Sequence, residues 1–352
     1  MVEMVRVLIV DDSSFFRKRI RSELERSGEI TVAGEAQNGR EAIQMAASLQ
    51  PDLITMDVAM PLMDGISAVR EIMRHHPTDI VMFSALTSEG ARATMDALDA
   101  GAVDFLPKQG GISGGVGQIQ GGSLRDRVIS LTRSKRARHT CPVGSLPTVQ
   151  TLEAPLSRPA ERRKGALQLV VIGASTGGPV AIQHVLSALP GDYPYPVLVG
   201  VHMPAEFTAT FAERLDSACR IRVRQAGHGD PLVRGEALIA PGGMQTLVER
   251  YAGSMRVRVQ PGGDQLYKPS VDIMFGSAAR ALKDGAQAVV LTGMGADGTE
   301  GARLLKEHGS SVWSQDQATS VVYGMPYSVA KAGYTDRVIP LNGIGAALSG
   351  LV

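Results

Sequence analysis

Four charged residues stand at the ends of apolar segments and have the types needed to accept a phosphoryl group. Asp11 and Asp12 follow VRVLIV, Asp57 follows DLITM, and Lys108 follows VDFLP. The carboxyl ends of parallel strands meet at one edge of a sheet, so these side chains are expected to converge. Clustered carboxylates suit Mg²⁺, and a lysine offers positive charge to a phosphoryl oxygen. The pattern favours Asp57 as a nucleophile that forms an aspartyl phosphate.

Two further residues are predicted to respond to that phosphate. Ser84 ends the fourth apolar segment, DIVMF, and is expected to hydrogen-bond the new phosphate. Phe105 is expected to repack when it does. The plainer alternative is that strand-end aspartates only cap helices, and Asp12 before two serines would suit that role.

A second set of residues has the types needed for hydrolysis by a nucleophilic serine. Ser175 lies in LQLVVIGASTGG, which predicts a strand, a tight turn and a helix with Pro179 in its first turn. His202 ends PVLVGV, and Asp297 follows QAVVLTG. A histidine can take the serine proton, and a carboxylate can fix the imidazole tautomer.

Each member of this set also has an ordinary structural interpretation. Ser175 could be a small turn residue, His202 a structural histidine, and Asp297 a helix cap. The combination of GASTGG with Tyr327 and Lys331 is also similar to short-chain dehydrogenases. That reading would require a glycine where Pro179 stands and an acidic residue about 20 positions on to bind a ribose. The joint placement at strand ends favours hydrolysis.

The elements that must hold these residues form two successive α/β patterns. In the first, five apolar runs alternate with amphipathic stretches, which predicts a five-stranded parallel sheet. The second pattern predicts a doubly wound α/β domain with an antiparallel hairpin around Gly253. The predicted domains are residues 1–131 and 166–352. Between them, 132–165 contains four prolines and is net basic, which favours an exposed linker.

Composition argues against several other classes of protein. The net charge is +1 and aromatic residues make up 4%, so a nucleic-acid surface is not expected. A helix-turn-helix pattern is not evident after residue 166. Apolar runs stay below the roughly 18 residues that span a bilayer, so membrane insertion is not expected. The two cysteines, Cys141 and Cys219, show no metal-ligand spacing and favour a reducing, cytoplasmic setting.

The first pattern resembles the receiver domain of two-component response regulators. The resemblance covers about residues 4–130 and rests on VDD, MDVAMPLMDG, FSA and DFLPK. It implies a flavodoxin-like fold and phosphorylation of Asp57 by a histidine kinase. It also implies Mg²⁺ held by the aspartates, with a backbone oxygen of Ala59. Gln109 stands where this family usually has proline, which affects the expected loop geometry.

The second pattern resembles the catalytic domain of chemotaxis protein-glutamate methylesterases, the CheB family. The matching stretches are GASTGGP, HMPAEFTATFAERL, LIAPGG, KPSVDIMF, LTGMGADG and SVVYGMP. The resemblance implies Ser175 as nucleophile, His202 as base and Asp297 as the residue that orients His202. It places Thr176 beside the nucleophile and the backbone N–H of Met294 as a candidate oxyanion donor. Gln245 and Lys268 replace residues more common in that family.

The resemblance implies a hydrolase that removes methyl groups from glutamate methyl esters on chemoreceptors and can deamidate receptor glutamines. The expected catalytic domain needs no cofactor, and the protein is expected to be a monomer. A flexible linker between the two predicted sites suggests that the unphosphorylated receiver blocks the catalytic edge. The alternative from another class is a receptor-binding module without catalysis, controlled by the same receiver.

Overall fold

The computed structural model describes residues 4–26, 28–108, 123–140 and 166–351, with the side chains of 137–140 left out. Contacts divide the chain into two compact units, 1–132 and 133–352. The predicted linker from 141 onwards and Gln109 lie outside the described residues. Within the described residues, helices are too short or too polar to cross a membrane.

The first unit is a five-stranded, all-parallel sheet flanked by helices, as predicted. Its strand order is β2-β1-β3-β4-β5, so β1 and β3 lie side by side in the interior. The elements are β1 (Val5–Val10), α1 (Ser14–Glu25), β2 (Ile30–Ala36), α2 (Gly39–Leu49), β3 (Leu53–Asp57), α3 (Gly65–His75), β4 (Asp79–Ser84), α4 (Ser88–Asp99), β5 (Asp104–Pro107) and α5 (Leu124–Thr140).

Local sequence explains where these elements begin. Every residue of β3 is buried, as expected for a strand covered on both faces of a parallel sheet. Helix α1 begins after Ser13, whose side-chain oxygen accepts from the Phe16 N–H. The cap of α1 is therefore Ser13, and Asp12 remains exposed beside the strand end. Asp12 is thus left available to the carboxylate cluster.

The second unit is built on a seven-stranded, all-parallel sheet with the order β14-β13-β12-β6-β7-β9-β8. The predicted antiparallel hairpin is present as a separate two-stranded sheet, β10-β11. The elements are β6 (Leu169–Ala174), α6 (Gly178–Ser187), β7 (Val197–Val201), α7 (Ala205–Ala218), β8 (Arg222–Gln225), β9 (Glu236–Ile239), β10 (Met244–Tyr251), β11 (Ser254–Pro261), α8 (Val271–Leu282), β12 (Ala286–Val290), α9 (Thr299–Glu307), β13 (Ser311–Gln315), α10 (Met325–Lys331), β14 (Arg337–Ile339) and α11 (Leu341–Ser349).

The strand order brings the hydrolytic residues to adjacent strand ends. Strand β6 pairs with β7 on one side and with β12 on the other. Ser175 follows β6, His202 follows β7, and Asp297 lies in the loop that leads from β12 to α9. Ser175 and His202 therefore lie at the ends of neighbouring central strands, with Asp297 at the same edge.

Candidate functional site

In the first unit, Lys108 bridges two of the predicted carboxylates. Its Nζ lies 2.7 Å from Asp11 Oδ2 and 2.7 Å from Asp57 Oδ2. Asp11 is fully buried and Asp57 is 5% exposed. The structure therefore brings together Asp11 after β1, Asp57 at the end of β3 and Lys108 after β5 at one sheet edge.

The three aspartates also have the spacing of a cation site. Asp11, Asp12 and Asp57 each offer an oxygen within 4.8 Å of the others. Oxygen donors at this density fit Mg²⁺, which prefers carboxylates and keeps several waters. Ala59 is exposed in the bend directly after β3, two residues beyond Asp57.

Burial and neighbouring charges change the proton affinity of this cluster in two ways. Burial raises the pKa of Asp57, and the contact with Lys108 opposes that rise without cancelling it. Asp11 and Asp12 push the pKa in the same direction as burial. Burial lowers the pKa of Lys108, but its bonds to Asp11 and Asp57 outweigh that and leave the pKa above its ordinary value. The lysine therefore stays charged against the carboxylates.

The two predicted response residues are buried near Lys108: Phe105 lies three positions before it, and Ser84 pairs with Pro107 in the register of β4 and β5. The Ser84 hydroxyl donates to the Gly90 carbonyl at 2.9 Å, and the Lys108 N–H donates to the Ser84 carbonyl at 2.7 Å. The Ser84 hydroxyl must therefore leave Gly90 before it can donate to a phosphate. Phe105 is 4% exposed, so its ring is packed inward.

Gly65 allows α3 to begin against the phosphoacceptor. A Cβ added at Gly65 would lie 1.9 Å from the Asp57 carbonyl oxygen. The Gly65 N–H donates to the Val58 carbonyl at 2.9 Å, which ties the start of α3 to the end of β3. A side chain at position 65 would displace this junction, and the need for glycine was missed in the sequence.

In the second unit, Ser175 lies in the strand–turn–helix geometry that its sequence predicts. The turn depends on Gly177, which has a φ of +73° and precedes α6. The Ser175 N–H donates to Thr292 at 3.0 Å, and the Gly178 N–H donates to Ser175 at 2.7 Å. A Cβ at Gly293 would lie 2.9 Å from the Ser175 Cβ. The serine is therefore held against the loop after β12.

His202 and Asp297 form a buried pair beside this turn. The His202 Nε2 lies 2.8 Å from the Asp297 Oδ2. The His202 backbone N–H donates to Ala174, the residue before Ser175, at 3.2 Å. The side chains of His202 and Asp297 are 0% and 2% exposed. The sequence-predicted base and its orienting carboxylate are thus in direct contact.

Asp297 is held by the first turn of α8 as well as by His202. Its Oδ1 accepts from the Ser270 hydroxyl at 3.0 Å and from the Asp272 N–H at 2.9 Å, and its Oδ2 accepts from the Val271 N–H at 2.7 Å. Burial alone would raise the pKa of Asp297, but His202 and these N–H donors outweigh burial and hold the pKa below its ordinary value. A helix N-terminus therefore keeps this carboxylate ionised.

The ionised carboxylate fixes the tautomer of His202. Asp297 can only accept, so the proton of the neutral imidazole lies on Nε2 and the lone pair lies on Nδ1. Nδ1 is buried and has no hydrogen-bond partner among the described residues. It is therefore the nitrogen that remains to act as a base.

Asp272, which sequence reasoning did not select, accepts hydrogen bonds from the first turn of α9, as Asp297 does from the first turn of α8. Its Oδ1 accepts from the Gly298 N–H at 2.9 Å and the Gly301 N–H at 2.7 Å, at the start of α9. Burial raises the pKa of Asp272 to about 6, Asp297 pushes it in the same direction, and the two N–H donors offset only part of the rise. Asp297 caps α8 while Asp272 caps α9, so the two helices share one acidic junction.

Tyr267 is a second residue that sequence reasoning missed. Its ring stacks on the His202 imidazole with centroids 4.3 Å apart and planes 8° apart. A Cβ at Gly295 would lie 3.0 Å from the Tyr267 hydroxyl oxygen. The sequence does contain one relevant signal: in YKPSVD, Ser270 before an apolar run indicates a helix start three residues after Tyr267.

The two remaining predicted residues, Thr176 and Met294, lie in the two loops that meet at Ser175. Thr176 is 1% exposed, and its hydroxyl has no partner among the residues that the structure describes. The Thr176 carbonyl accepts from the Thr292 hydroxyl at 2.9 Å. Met294 directly follows Gly293, which packs on Ser175. Thr176 therefore follows the serine directly, and Met294 follows the glycine that packs on the serine.

Comparison with known proteins agrees with this architecture. The family described as CheB methylesterase matches residues 170–348, and the response regulator receiver domain matches 7–115. The chain is 52% identical to a protein-glutamate methylesterase/protein-glutamine glutaminase of Alkalilimnicola ehrlichii, over 99% of both chains. It is 51% identical to one of Pseudomonas aeruginosa, over 98% of both.

A solved structure supports the fold of the second unit. The crystal structure of the Thermotoga maritima CheB methylesterase catalytic domain matches with a TM-score of 0.52 and 38% identity, covering 53% of this chain and all of that one. The protein is therefore a two-part α/β regulator with a receiver and an esterase-type unit. It belongs to the CheB methylesterase family.

Proposed function

We propose that this protein is a phosphorylation-controlled hydrolase that demethylates glutamate methyl esters on chemoreceptors and deamidates receptor glutamines. The buried pair of His202 and Asp297 beside the Ser175 turn is the observation that carries the proposal. The relatives that span the whole chain carry the corresponding two activities in their names.

The proposed reaction begins with attack by Ser175 on the ester. The Ser175 Oγ forms a bond to the γ-carbonyl carbon while His202 Nδ1 takes the hydroxyl proton. Asp297 stabilises the resulting imidazolium through Nε2. Collapse of the tetrahedral intermediate breaks the bond to methoxide, which receives the proton from Nδ1 and leaves as methanol.

The second half of the reaction returns the enzyme to its starting state. Water loses a proton to His202 and attacks the acyl carbon, and the ester bond to Ser175 breaks with return of that proton to Oγ. The product is glutamate. With a glutamine substrate the same steps release ammonia instead of methanol. The backbone N–H of Met294, beside the close-packed Gly293, is the proposed oxyanion donor.

In the receiver, we propose that Asp57 is the phosphoacceptor. The Asp57 oxygen attacks the phosphorus of a phosphodonor, a histidine kinase in the cell, and the bond to the donor breaks. Lys108 balances charge on the transferred group, while Asp11, Asp12, Asp57 and the Ala59 carbonyl would hold Mg²⁺. Bound Mg²⁺ supplies positive charge for the phosphoryl oxygens. Ser84 and Phe105 are the proposed response residues.

The remaining expectations stay part of this proposal. Residues 1–131 act as the regulatory domain, 132–165 as a linker whose first residues complete α5, and 166–352 as the catalytic domain, with phosphorylation raising the hydrolytic rate. We propose a cytoplasmic monomer that needs no cofactor in its catalytic domain.

Methanol release from methylated receptor membranes tests the proposal. The native chain is compared with Ser175→Ala and Asp57→Asn, each with and without acetyl phosphate and Mg²⁺. Ser187→Ala on α6 and the exposed Asp99→Asn serve as matched controls. We expect release to require Ser175 and to rise with acetyl phosphate only when Asp57 is present.

Two other results would redirect the proposal. Release by Ser175→Ala equal to native would exclude the serine mechanism. Receptor binding without release by the native chain would favour a non-catalytic binding module. A rise with acetyl phosphate in Asp57→Asn would place the phosphate elsewhere.

A further inference from the structure

The segment Tyr267–Ser270, which connects the β10-β11 hairpin to α8, contacts both partners of the buried pair. At one end, the Tyr267 ring lies flat on His202. At the other end, the Ser270 hydroxyl donates to Asp297 at 3.0 Å. A shift of this segment would therefore change a contact to the imidazole and a contact to its carboxylate at the same time.

Gln245 on β10 forms hydrogen bonds to both ends of this segment. Its Nε2 donates to the Tyr267 carbonyl at 2.7 Å, and its Oε1 accepts from the Ser270 N–H at 2.9 Å. The residue is 2% exposed, so its amide is enclosed by protein. A backbone bond from Gly243 to Lys268, at 3.0 Å, adds one further tie between the same two stretches.

We infer that Gln245 is a positioning residue for ester hydrolysis, acting on His202 and Asp297 through Tyr267 and Ser270. This inference rests on the proposed function. One amide meets one donor and one acceptor that are three residues apart, so it sets the length of the segment. Without it, the Tyr267 carbonyl and the Ser270 N–H lose their side-chain partner in a buried place. A misplacement of about 1 Å in such a supporting segment costs on the order of 100-fold in rate.

The first test replaces Gln245 by methionine, which has nearly the same shape and no amide. Gln260 lies directly opposite Gln245 in the register of the hairpin, so Gln260→Met is the matched control. We expect Gln245→Met to lower kcat for methanol release by about 10- to 100-fold with KM within about twofold, because the buried residue cannot touch substrate. Gln260→Met is expected to stay within about twofold of native in both constants.

The second test replaces Gln245 by histidine and follows activity against pH. A neutral imidazole keeps one donor and one acceptor, whereas a protonated imidazole has two donors and cannot accept from the Ser270 N–H. We expect kcat of Gln245→His near that of native at pH 8. The ratio of variant to native should then fall at least about threefold by pH 5.5, because histidine titrates in this range.

The outcomes separate this inference from the proposed function. Loss of methanol release in Ser175→Ala, measured beside these variants, first confirms that the serine reaction is being observed. Gln245→Met with native kcat would overturn the inference and leave the proposed function intact. If Gln245→Met does not fold by Trp313 fluorescence, the pH profile of Gln245→His decides. A ratio to native that is flat from pH 8 to 5.5 would then overturn the inference.

Discussion

Replacing Asp272 by asparagine should make the catalytic unit more stable at neutral pH. Asp272 accepts from the Gly298 and Gly301 N–H groups through one oxygen, Oδ1. An asparagine Oδ1 can accept the same two bonds while removing a negative charge next to Asp297. The variant therefore retains the cap of α9 and loses the repulsion between the two carboxylates.

The size of the effect follows from the raised pKa. A rise from 3.8 to about 6 corresponds to a cost of at most about 3 kcal/mol when Asp272 ionises in the folded state, and solvent around this half-buried carboxylate reduces that cost. The pKa of Asp272 is higher in the folded state than in the unfolded state. The contribution of Asp272 to the free energy of unfolding is therefore most favourable below about pH 4, and it is lost as pH rises through 6. Asp297 has the opposite sign, with stability lost as pH falls through its lowered pKa. We expect the stability advantage of Asp272→Asn over native to grow by about 1 to 2 kcal/mol from pH 4 to pH 7.5.

The single tryptophan of the chain provides the assay. Trp313 is 3% exposed in β13, so its fluorescence reports unfolding of the catalytic unit without a signal from the receiver. Urea titrations at pH 4, 5, 6 and 7.5 give the free energy of unfolding for native, Asp272→Asn and the exposed control Asp264→Asn. A stability difference that does not change with pH, or that grows in favour of native, would refute the reasoning.

Three other substitutions test the two sites and a buried ion pair of the receiver, Arg127 on α5 with Asp104 on β5. Asp297→Asn should lower kcat for methanol release by about 10,000-fold, because its amide donates to the imidazole and moves the proton to the wrong nitrogen; a loss below tenfold would contradict the tautomer assignment. Gly65→Ala should lower acetyl-phosphate-dependent phosphorylation of Asp57 by more than about tenfold, since the added Cβ meets the Asp57 carbonyl oxygen, and native-like incorporation on a phosphate-affinity gel would disprove this. Arg127→Met should destabilise the receiver by about 3 to 5 kcal/mol in urea unfolding followed by circular dichroism, because it breaks a buried ion pair with Asp104. Arg127→Met with Asp104→Leu should recover part of that loss, and no recovery would point to packing instead.

Much of the fold could be predicted because the buried strands correspond to nearly continuous apolar runs in the sequence. LITMD of β3 and LVVIGA of β6 are buried at every residue; the first ends on the site residue Asp57, and the second is followed by Ser175. Two short strands at the sheet edges were missed. RVRQ of β8 alternates arginine with other residues and is buried on one side only, and β14 has three residues with one buried. Such patterns are typical of exposed turns as well as of edge strands.

The candidate site divides in the same way between local and distant information. Ser175, His202 and Asp297 could be selected because each follows an apolar run. Gln245 and Asp272 could not, because their roles depend on partners about 25 positions away in the chain. The cap at Ser270 was readable, but its use as a donor to a carboxylate became clear only from the packing of the two helices.

The acidic junction of α8 and α9 couples the local opening of the catalytic site to the opening of both helices. The first turn of α8 donates to Asp297, which lies in the loop leading into α9. The first turn of α9 donates to Asp272, which lies on α8. Neither first turn can open without breaking its hydrogen bonds to one of these two carboxylates, so the two should open together. The amides of Val271, Asp272, Gly298 and Gly301 should therefore exchange with solvent deuterium as one unit. The carboxylate that orients the base would then be lost only in openings large enough to detach both helices.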